Sequence, residues 1–466
     1  MSRRIAIVGA GLAGIAAAIR LAEFGHKPIL IETRRKFGGR ATSFDDSRSG
    51  LTIDNCQHVL LGCCTNLIDL YDRLGVLDMI EWHDTLFWTA GRGEIDRIRA
   101  GWLPAPLHLS RSFSKMGLLS RTEKRQIRSA MWRMIRLGST GRQQWRGRTF
   151  AEFLGDSGQD ESTIRRFWNT IIVSACNLSA DRVCAATAMH VFQDGFLAHR
   201  FAYSMGLSIA PLSALYAPAE PIIDEAGGEV HLGVSAKAIA YDGKRVTGVI
   251  TDEGVIESAA VIAAVPFDRL EKLTSEIMRA ADARLQRLDQ FEVSPILGVH
   301  VWFDQPIMSL PHLVLVDCHV QWLFNKGVDP EGRQHLHAVI SAADEWMELD
   351  ESEIVSRVLR DICKALPNAI GLSPVVSRAV KEKRATFAAT PAAELLRPPT
   401  APGYVGLGGG GIENLIIAGD WTDTGWPATM EGAVRSGYAA AGSIADTTCV
   451  IDDLPRSVLA RLLGLR

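Results

Sequence analysis

The sequence predicts an α/β protein. A parallel sheet flanked by helices is assembled from separated stretches of chain, and the intervening segments form a mixed α+β domain. Three observations predict it. The chain opens with strand, glycine turn, helix and second strand in "RIAIVGAGLAGIAAAIRLAEFGHKPILIE", residues 4–32. It closes with the short greasy run Leu415-Ile416-Ile417-Ala418 followed by "GDWTDTGWPATMEGA", residues 419–433. Such runs are typical of buried parallel strands. Between them, residues 226–266 read as consecutive short strands with Asp-Gly turns and end in the buried run "AAVIAAVP".

The opening unit needs care, because Arg3-Arg4 before an apolar run mimics the start of a secretory signal. The turn chemistry decides against that. Gly9, Gly11 and Gly14 form G-x-G-x-x-G directly after the strand and before the helix. This is the Rossmann-type arrangement that binds a dinucleotide. Gly9 permits the tight turn, Gly11 lets the backbone approach a pyrophosphate, and Gly14 lets helix and strand pack closely. The helix amino end, with Leu12 and Ala13, offers unpaired N–H groups and a positive dipole to the phosphates. Glu32 ends the second strand, where a carboxylate accepts from a ribose 2′-OH and repels a 2′-phosphate. At the other end of the chain Asp420 follows its strand in the same way, at the carboxyl edge where open α/β sheets bind ligands.

Bulk properties narrow the class. A chain of 466 residues is long enough for two or more domains. A net charge of −3 gives no global attraction to nucleic acid. The eight cysteines are sparse and irregular, which points to a reducing, cytoplasmic setting rather than a disulfide scaffold. No segment reaches the ~18 uninterrupted apolar residues of a spanning helix.

After Glu32 comes Gly38-Gly39-Arg40, with glycines that let Arg40 come near the phosphates. The arrangement Glu-x5-Gly-Gly-Arg-x-x-Ser resembles the flavin amine oxidase and carotenoid desaturase superfamily, which binds FAD. The closing strand, Gly419-Asp420 and "ATMEGAVRSGYAAA" resemble it too. The resemblance implies that Asp420 serves the ribityl-pyrophosphate. It places the backbone around Thr429, Met430, Glu431 and Ala433, at the amino end of the last helix, facing the flavin O2. It makes Ala236 an adenine contact, at a position where valine is commoner. It implies a discontinuous FAD-binding domain over 1–85, 218–290 and 385–450, a substrate domain over 86–217 and 291–384, and a C-terminal tail over 451–466.

In the substrate domain "ILGVHVWFDQPI", "HLVLVDCHVQWLF" and "HLHAVISAA" read as antiparallel strands, followed by the helix "EIVSRVLRDICKAL". The segment 92–148 is mostly helical and carries fourteen Lys/Arg against three acids. Ser120-x-x-Glu123 is a capping-box signature. Ile127, Met131, Met134 and Ile135 then line one helical face, and Arg125, Arg128, Arg133 and Arg136 lie on others. The segment reads either as a core helix with a solvated basic face or as a surface on an anionic bilayer, at ~1 kcal/mol per basic residue. A grip on a diphosphate or nucleic acid is the weaker third use.

"DNCQHVLLGCCTNL" (54–67), "VKEKRATFAATP" (380–391) and "AGDWTDTGWPATMEGAVRSG" (418–437) resemble the hydroxysqualene dehydroxylases of bacterial hopanoid pathways. In that family reduced flavin replaces an allylic hydroxyl with hydride and yields squalene. The resemblance implies an apolar isoprenoid substrate and an unidentified electron donor; the basic segment 92–148, in its bilayer reading, implies peripheral contact with the inner face of an anionic membrane. His58 and Asp54 lie in the stretch that passes near the flavin in such folds. His58 is the general-acid candidate; both residues could instead hold the isoalloxazine. Cys56, His58, Cys63 and Cys64 lack zinc-type spacing, so no metal is expected. Amine oxidases carry a lysine where Gly298 aligns, which argues against amine oxidation. His300, two residues on, is a secondary polar candidate. Two rivals remain: a carotenoid-type desaturase, and a non-catalytic prenyl carrier like the GDP-dissociation inhibitors.

Overall fold

The computed structural model describes residues 2–91, 93–402 and 410–465. Its first layer is a five-stranded parallel sheet in the order Glu229–Leu232, Lys27–Glu32, Arg4–Val8, Ala260–Ala263, Leu415–Ile417. Beginning, middle and end of the chain thus meet in one sheet. Ile5–Val8 pair with Pro28–Ile31 on one side and Ala260–Ala263 on the other. The two central strands are buried almost throughout, as expected of apolar runs covered on both faces. An antiparallel sheet of Ala236–Tyr241, Val246–Thr251 and Gly254–Glu257 leads into the fourth strand.

Two helices lie together against this sheet, Leu12–Glu23 and Met430–Ala445. Their contact is backbone-close: a Cβ on Gly437 would sit 2.2 Å from the Ala13 carbonyl oxygen. Likewise a Cβ on Gly14 would lie 1.9 Å from the Gly9 carbonyl oxygen, so this helix approaches its turn only as glycine.

The second layer is a seven-stranded sheet. Its order is Val376–Phe387, Val293–Phe303, Gln334–Ser341, Trp322–Val328, His312–Leu315, Thr85–Thr89, Asp96–Arg99. Period-two alternation sorts its faces. Leu297, Val299, Val301, Leu336, Ala338 and Ile340 pack with Ile354, Val358 and Ile362 of helix Glu351–Ala365. Gly298, His300, Trp302, His335 and His337 occupy the opposite face. One expectation changes here. The run "HLVLVDCHVQWLF" is two antiparallel strands, folded back through Asp317 in a left-handed conformation (φ 57°).

The basic segment is also corrected. The capping box forms at Ser120 and Glu123, and Ile127, Met134 and Ile135 are buried. The helix breaks at Gly138 (φ 61°, ψ −172°). Beyond the break Arg142 is buried on Asp194 at 2.5 Å, Arg146 reaches Asp423, and Arg148 pairs with Glu152 and Asp156. Arg133 packs over Trp145 and Phe153. The basic excess is therefore only partly presented to solvent; Arg92 lies outside the described residues. Residues 451–465 are tied down rather than trailing. Ile451 exchanges hydrogen bonds with Asn66, Arg456 reaches Asp194, and the Ser457 N–H donates to Ala198. Among the described residues no helix is long and apolar enough to cross a membrane.

The interhelix contact yields a test. Gly437→Leu forces the two helices apart and is expected to destabilise the protein by roughly 1–3 kcal/mol, seen as a lower midpoint in thermal unfolding followed by circular dichroism.

Candidate active site

A cavity of about 880 Å³ runs from the glycine turn between the two layers. Its first end is built from backbone. Gly11 caps helix Leu12–Glu23 without a side-chain bond, and a Cβ there would meet open space. Gly11, Leu12 and Ala13 line the cavity, so the unpaired N–H groups of this helix face it. Glu32 lines it as well, with Oε2 accepting from the Ala10 N–H and Oε1 from the Arg34 N–H at 2.9 Å each. The loop carrying Gly38 (φ +97°) and Gly39 (φ +60°) folds onto the turn: the Gly38 N–H donates to Ala10 at 2.8 Å. These positive φ values select glycine.

Arg40 leaves that loop and crosses to the end of the chain. Its Nη2 donates to Asp420 Oδ1 at 2.6 Å and its Nη1 to the Ala385 carbonyl at 2.7 Å. Asp420 is almost fully buried. Buried Arg397 organises the loop beyond it, donating to the carbonyls of Thr422 and Trp426. Thr429 caps the closing helix through the Gly432 N–H; Thr429, Met430, Glu431 and Ala433 line the cavity, as do Gly419 and Ala236. Ser235, Lys237, Arg269 and Lys272, not foreseen from sequence, line it too. An anion-holding helix end, a carboxylate at a strand end and an arginine-paired aspartate fit a diphosphate joined to polyhydroxyl groups.

The loop 54–58 is where expectation and structure part. His58 lines the cavity, with Nδ1 2.9 Å from the Cys56 carbonyl. A carbonyl only accepts, so Nδ1 carries the proton and Nε2 the lone pair. Burial lowers its pKa from the usual value, outweighing the Cys56 carbonyl and Asp54, which raise it. The ring is neutral at pH 7. Asp54 is corrected: it does not line the cavity. Its Oδ1 accepts from the Ser43 hydroxyl (2.9 Å) and the Leu212 N–H (3.0 Å), and Oδ2 lies 3.3 Å from Lys326 Nζ. It shapes the loop and has no free oxygen for substrate. His300 is a satisfied core histidine, bonded through Nδ1 to His335 (2.9 Å) and through Nε2 to the Asp54 carbonyl (3.2 Å). Gly298 has no room for any side chain, since a Cβ would lie 2.7 Å from His337 Nε2.

Away from the glycine turn the lining turns apolar: Leu86, Trp88, Val191, Phe196, Trp322 and Phe324. Thr170, Ser174, Asn177, Ser341 and His190 line it too, and sequence reasoning missed them. For His190 the signal available was a lone histidine within the buried helix "AATAMHVF".

The family model of flavin-containing amine oxidoreductases matches residues 12–445. The chain belongs to that family. Its cofactor is FAD, and the helix end, Glu32, Arg40 and Asp420 line the cavity and would be the groups to hold it. The hydroxysqualene dehydroxylase of Sinorhizobium fredii is 29% identical, over 95% of this chain and 98% of that protein. The 15-cis-phytoene desaturase of Narcissus pseudonarcissus is 28% identical, over 94% and 79%. Cyclohexylamine oxidase from Brevibacterium oxydans shares the fold, with a TM-score of 0.70 at 18% identity over 96% of this chain and 99% of that one.

Arg40→Met removes a charge-assisted bond worth roughly 1.5–3 kcal/mol. The expected outcome is a fall of about tenfold or more in FAD affinity, read as the flavin-to-protein absorbance ratio after gel filtration.

Proposed function

We propose that this flavin-dependent oxidoreductase is a hydroxysqualene dehydroxylase, replacing the allylic hydroxyl of a long isoprenoid with hydride. The observation that carries the reading is the group of large apolar side chains, Leu86, Trp88, Val191, Phe196, Trp322 and Phe324, that lines the cavity beyond the cofactor cradle. It suits a hydrocarbon chain bearing one hydroxyl. The full-length similarity to the Sinorhizobium protein supports it. Gly298 supports it too, because the packed His337 ring excludes the lysine of amine oxidation. The intact cradle speaks against a carrier without flavin chemistry.

The chemistry divides simply. Reduced FAD supplies hydride. The chain's own residues hold the substrate, exclude water and deliver a proton to the departing oxygen. His58 is the candidate donor. Its pKa is lowered, so the protonated ring is populated only on the acid side of its ordinary value near 6.5. Turnover is therefore expected to fall as pH rises through the lowered pKa, and His58→Gln should flatten that decline in a pH profile of initial rates.

A desaturase acting on a polyene is the second reading, and a specific observation favours it. A neutral imidazole with a free lone pair takes up a proton more readily than it gives one. Anaerobic incubation of the reduced enzyme with hydroxysqualene, followed by mass spectrometry of the extract, decides. Squalene is expected. Desaturation of phytoene by the oxidised enzyme, with no squalene from the first incubation, would replace the proposal.

Contact with an anionic membrane is proposed for the side where Arg111, Arg121, Arg125, Arg128 and Arg136 are exposed. Trp102 is 79% exposed, and Arg200 donates to the carbonyls on either side of it. An indole among cations suits a bilayer interface. Binding to vesicles containing phosphatidylglycerol is expected to weaken with salt. The combined change Arg125→Glu, Arg128→Glu and Trp102→Ser should abolish it in a sedimentation assay.

A further inference from the structure

The helix Ala185–Phe192 is buried at every position, and His190 is its one ionisable group. At Gln193 the helix widens to a π-turn through Leu197. Gly195 and Phe196 of that turn and His190 all line the cavity. Asp194, one turn after His190, does not line it. Its Oδ2 stands 3.2 Å from His190 Nδ1, while Arg142 (2.5 Å) and Arg456 (2.8 Å) hold its two oxygens. The contact with Asp194 is a close approach and not a hydrogen bond, so neither ring nitrogen is bonded within the protein.

The charge state follows from these neighbours. Burial would raise the Asp194 pKa, but His190, Arg142 and Arg456 outweigh it and keep the carboxylate ionised. Burial takes His190 itself down to about 3; Asp194 opposes that, and Arg142, Arg435 and Arg456 reinforce it. The ring is neutral, with one nitrogen a donor and the other an acceptor, and both lack a hydrogen-bond partner in a residue 4% exposed. Trp426 stands against it edge to face at 4.6 Å and is itself backed by Arg435. Cys63, Ala202 and Leu61 surround Trp426. An unpartnered imidazole thus sits in the cavity wall beside Val191, Phe196 and Trp426.

We propose that the unpartnered His190 imidazole is the hydroxyl anchor of the cavity, hydrogen-bonding an alcohol borne by a long apolar substrate, with Asp194 standing against the ring. This rests on the dehydroxylase reading and adds its specificity-determining residue. A site built to bond a hydroxyl rejects the analogue that lacks it, because its buried polar group is then left unpaired. The same rule favours release of the product, a hydrocarbon with nothing to offer the imidazole.

The test uses the FAD-loaded enzyme with oxidised flavin, which holds no hydride to transfer. Equal amounts of hydroxysqualene and squalene in detergent micelles compete, and the lipid retained through gel filtration is measured by mass spectrometry. The expected result is about tenfold enrichment of the alcohol, one good hydrogen bond's worth. His190→Leu should bring the ratio to about one while squalene retention is unchanged, and His190→Gln, which keeps an acceptor, should restore part of the preference. The enrichment should be flat across neutral pH, as befits a ring that stays uncharged. Enrichment unchanged in His190→Leu overturns the proposal, and so does no enrichment in the unaltered enzyme. Should His190→Leu lose its flavin, the ratio in His190→Gln decides alone: equality with the unaltered enzyme or a partial fall supports the anchor, and complete loss overturns it. Absence of squalene from the reduced enzyme, with the enrichment intact, refutes the reaction but not the anchor.

Discussion

The contact between Arg40 and Asp420 is the constraint on which the remaining architecture turns. It joins residues 380 positions apart at 2.6 Å. Neither partner could be placed alone. Arg40 is delivered by a loop whose two positive-φ glycines lie on the helix end, and Asp420 by a strand fixed at the sheet's edge. Burying one charge without the other would cost several kcal/mol, so the pair selects the arrangement in which the first and last segments close over one cavity. Arg397 extends this logic. It is buried, paired with Glu394, and hydrogen-bonded to three carbonyls of the loop after Asp420. The loop therefore hangs from a side chain rather than from regular secondary structure.

The second layer is attached through equally specific polar contacts. The carbonyl of Asp54 accepts from His300, and its carboxylate reaches Lys326 two strands away. Behind them His335 stacks on Trp302 at 4.1 Å and His300 on His337 at 3.8 Å. The loop 54–58 is tied to this column of rings through the Asp54 carbonyl, and its His58 lines the cavity. A carboxylate spent on holding a loop cannot also serve a substrate, which is why Asp54 is structural while its neighbour four residues on faces the cavity.

Much of the cofactor end was legible because its signals are local. Gly9, Gly11, Gly14 and Glu32 have fixed roles at fixed spacing, and strand, turn and helix all lie within thirty residues. The buried strand before Asp420 was equally plain. The capping box at Ser120 formed as read. What escaped was decided by partners far away in the chain. Arg142 looks like one more surface arginine until Asp194 meets it, and Arg456 looks like tail chemistry until it joins the same carboxylate. The strand break at Asp317 depends on one residue adopting a left-handed conformation, which apolar patterning does not register. His190 was overlooked because a single histidine in an apolar helix is usually a packed core residue. Only the cavity beside it changes that reading.

The two imidazoles in the cavity carry the argument further than the fold does. His58 and His190 are both neutral, for the same first reason, burial, and each has neighbours that oppose it, the Cys56 carbonyl and Asp54 at His58 and Asp194 at His190. The difference lies in the cations that reinforce it, Arg40 alone at His58 but Arg142, Arg435 and Arg456 at His190. Environments that push two like groups apart commonly mark divided roles. Three guanidinium groups weigh against a charge on His190 and one, Arg40, against a charge on His58, so the proposed proton transfer falls to His58 and the proposed hydroxyl contact to His190.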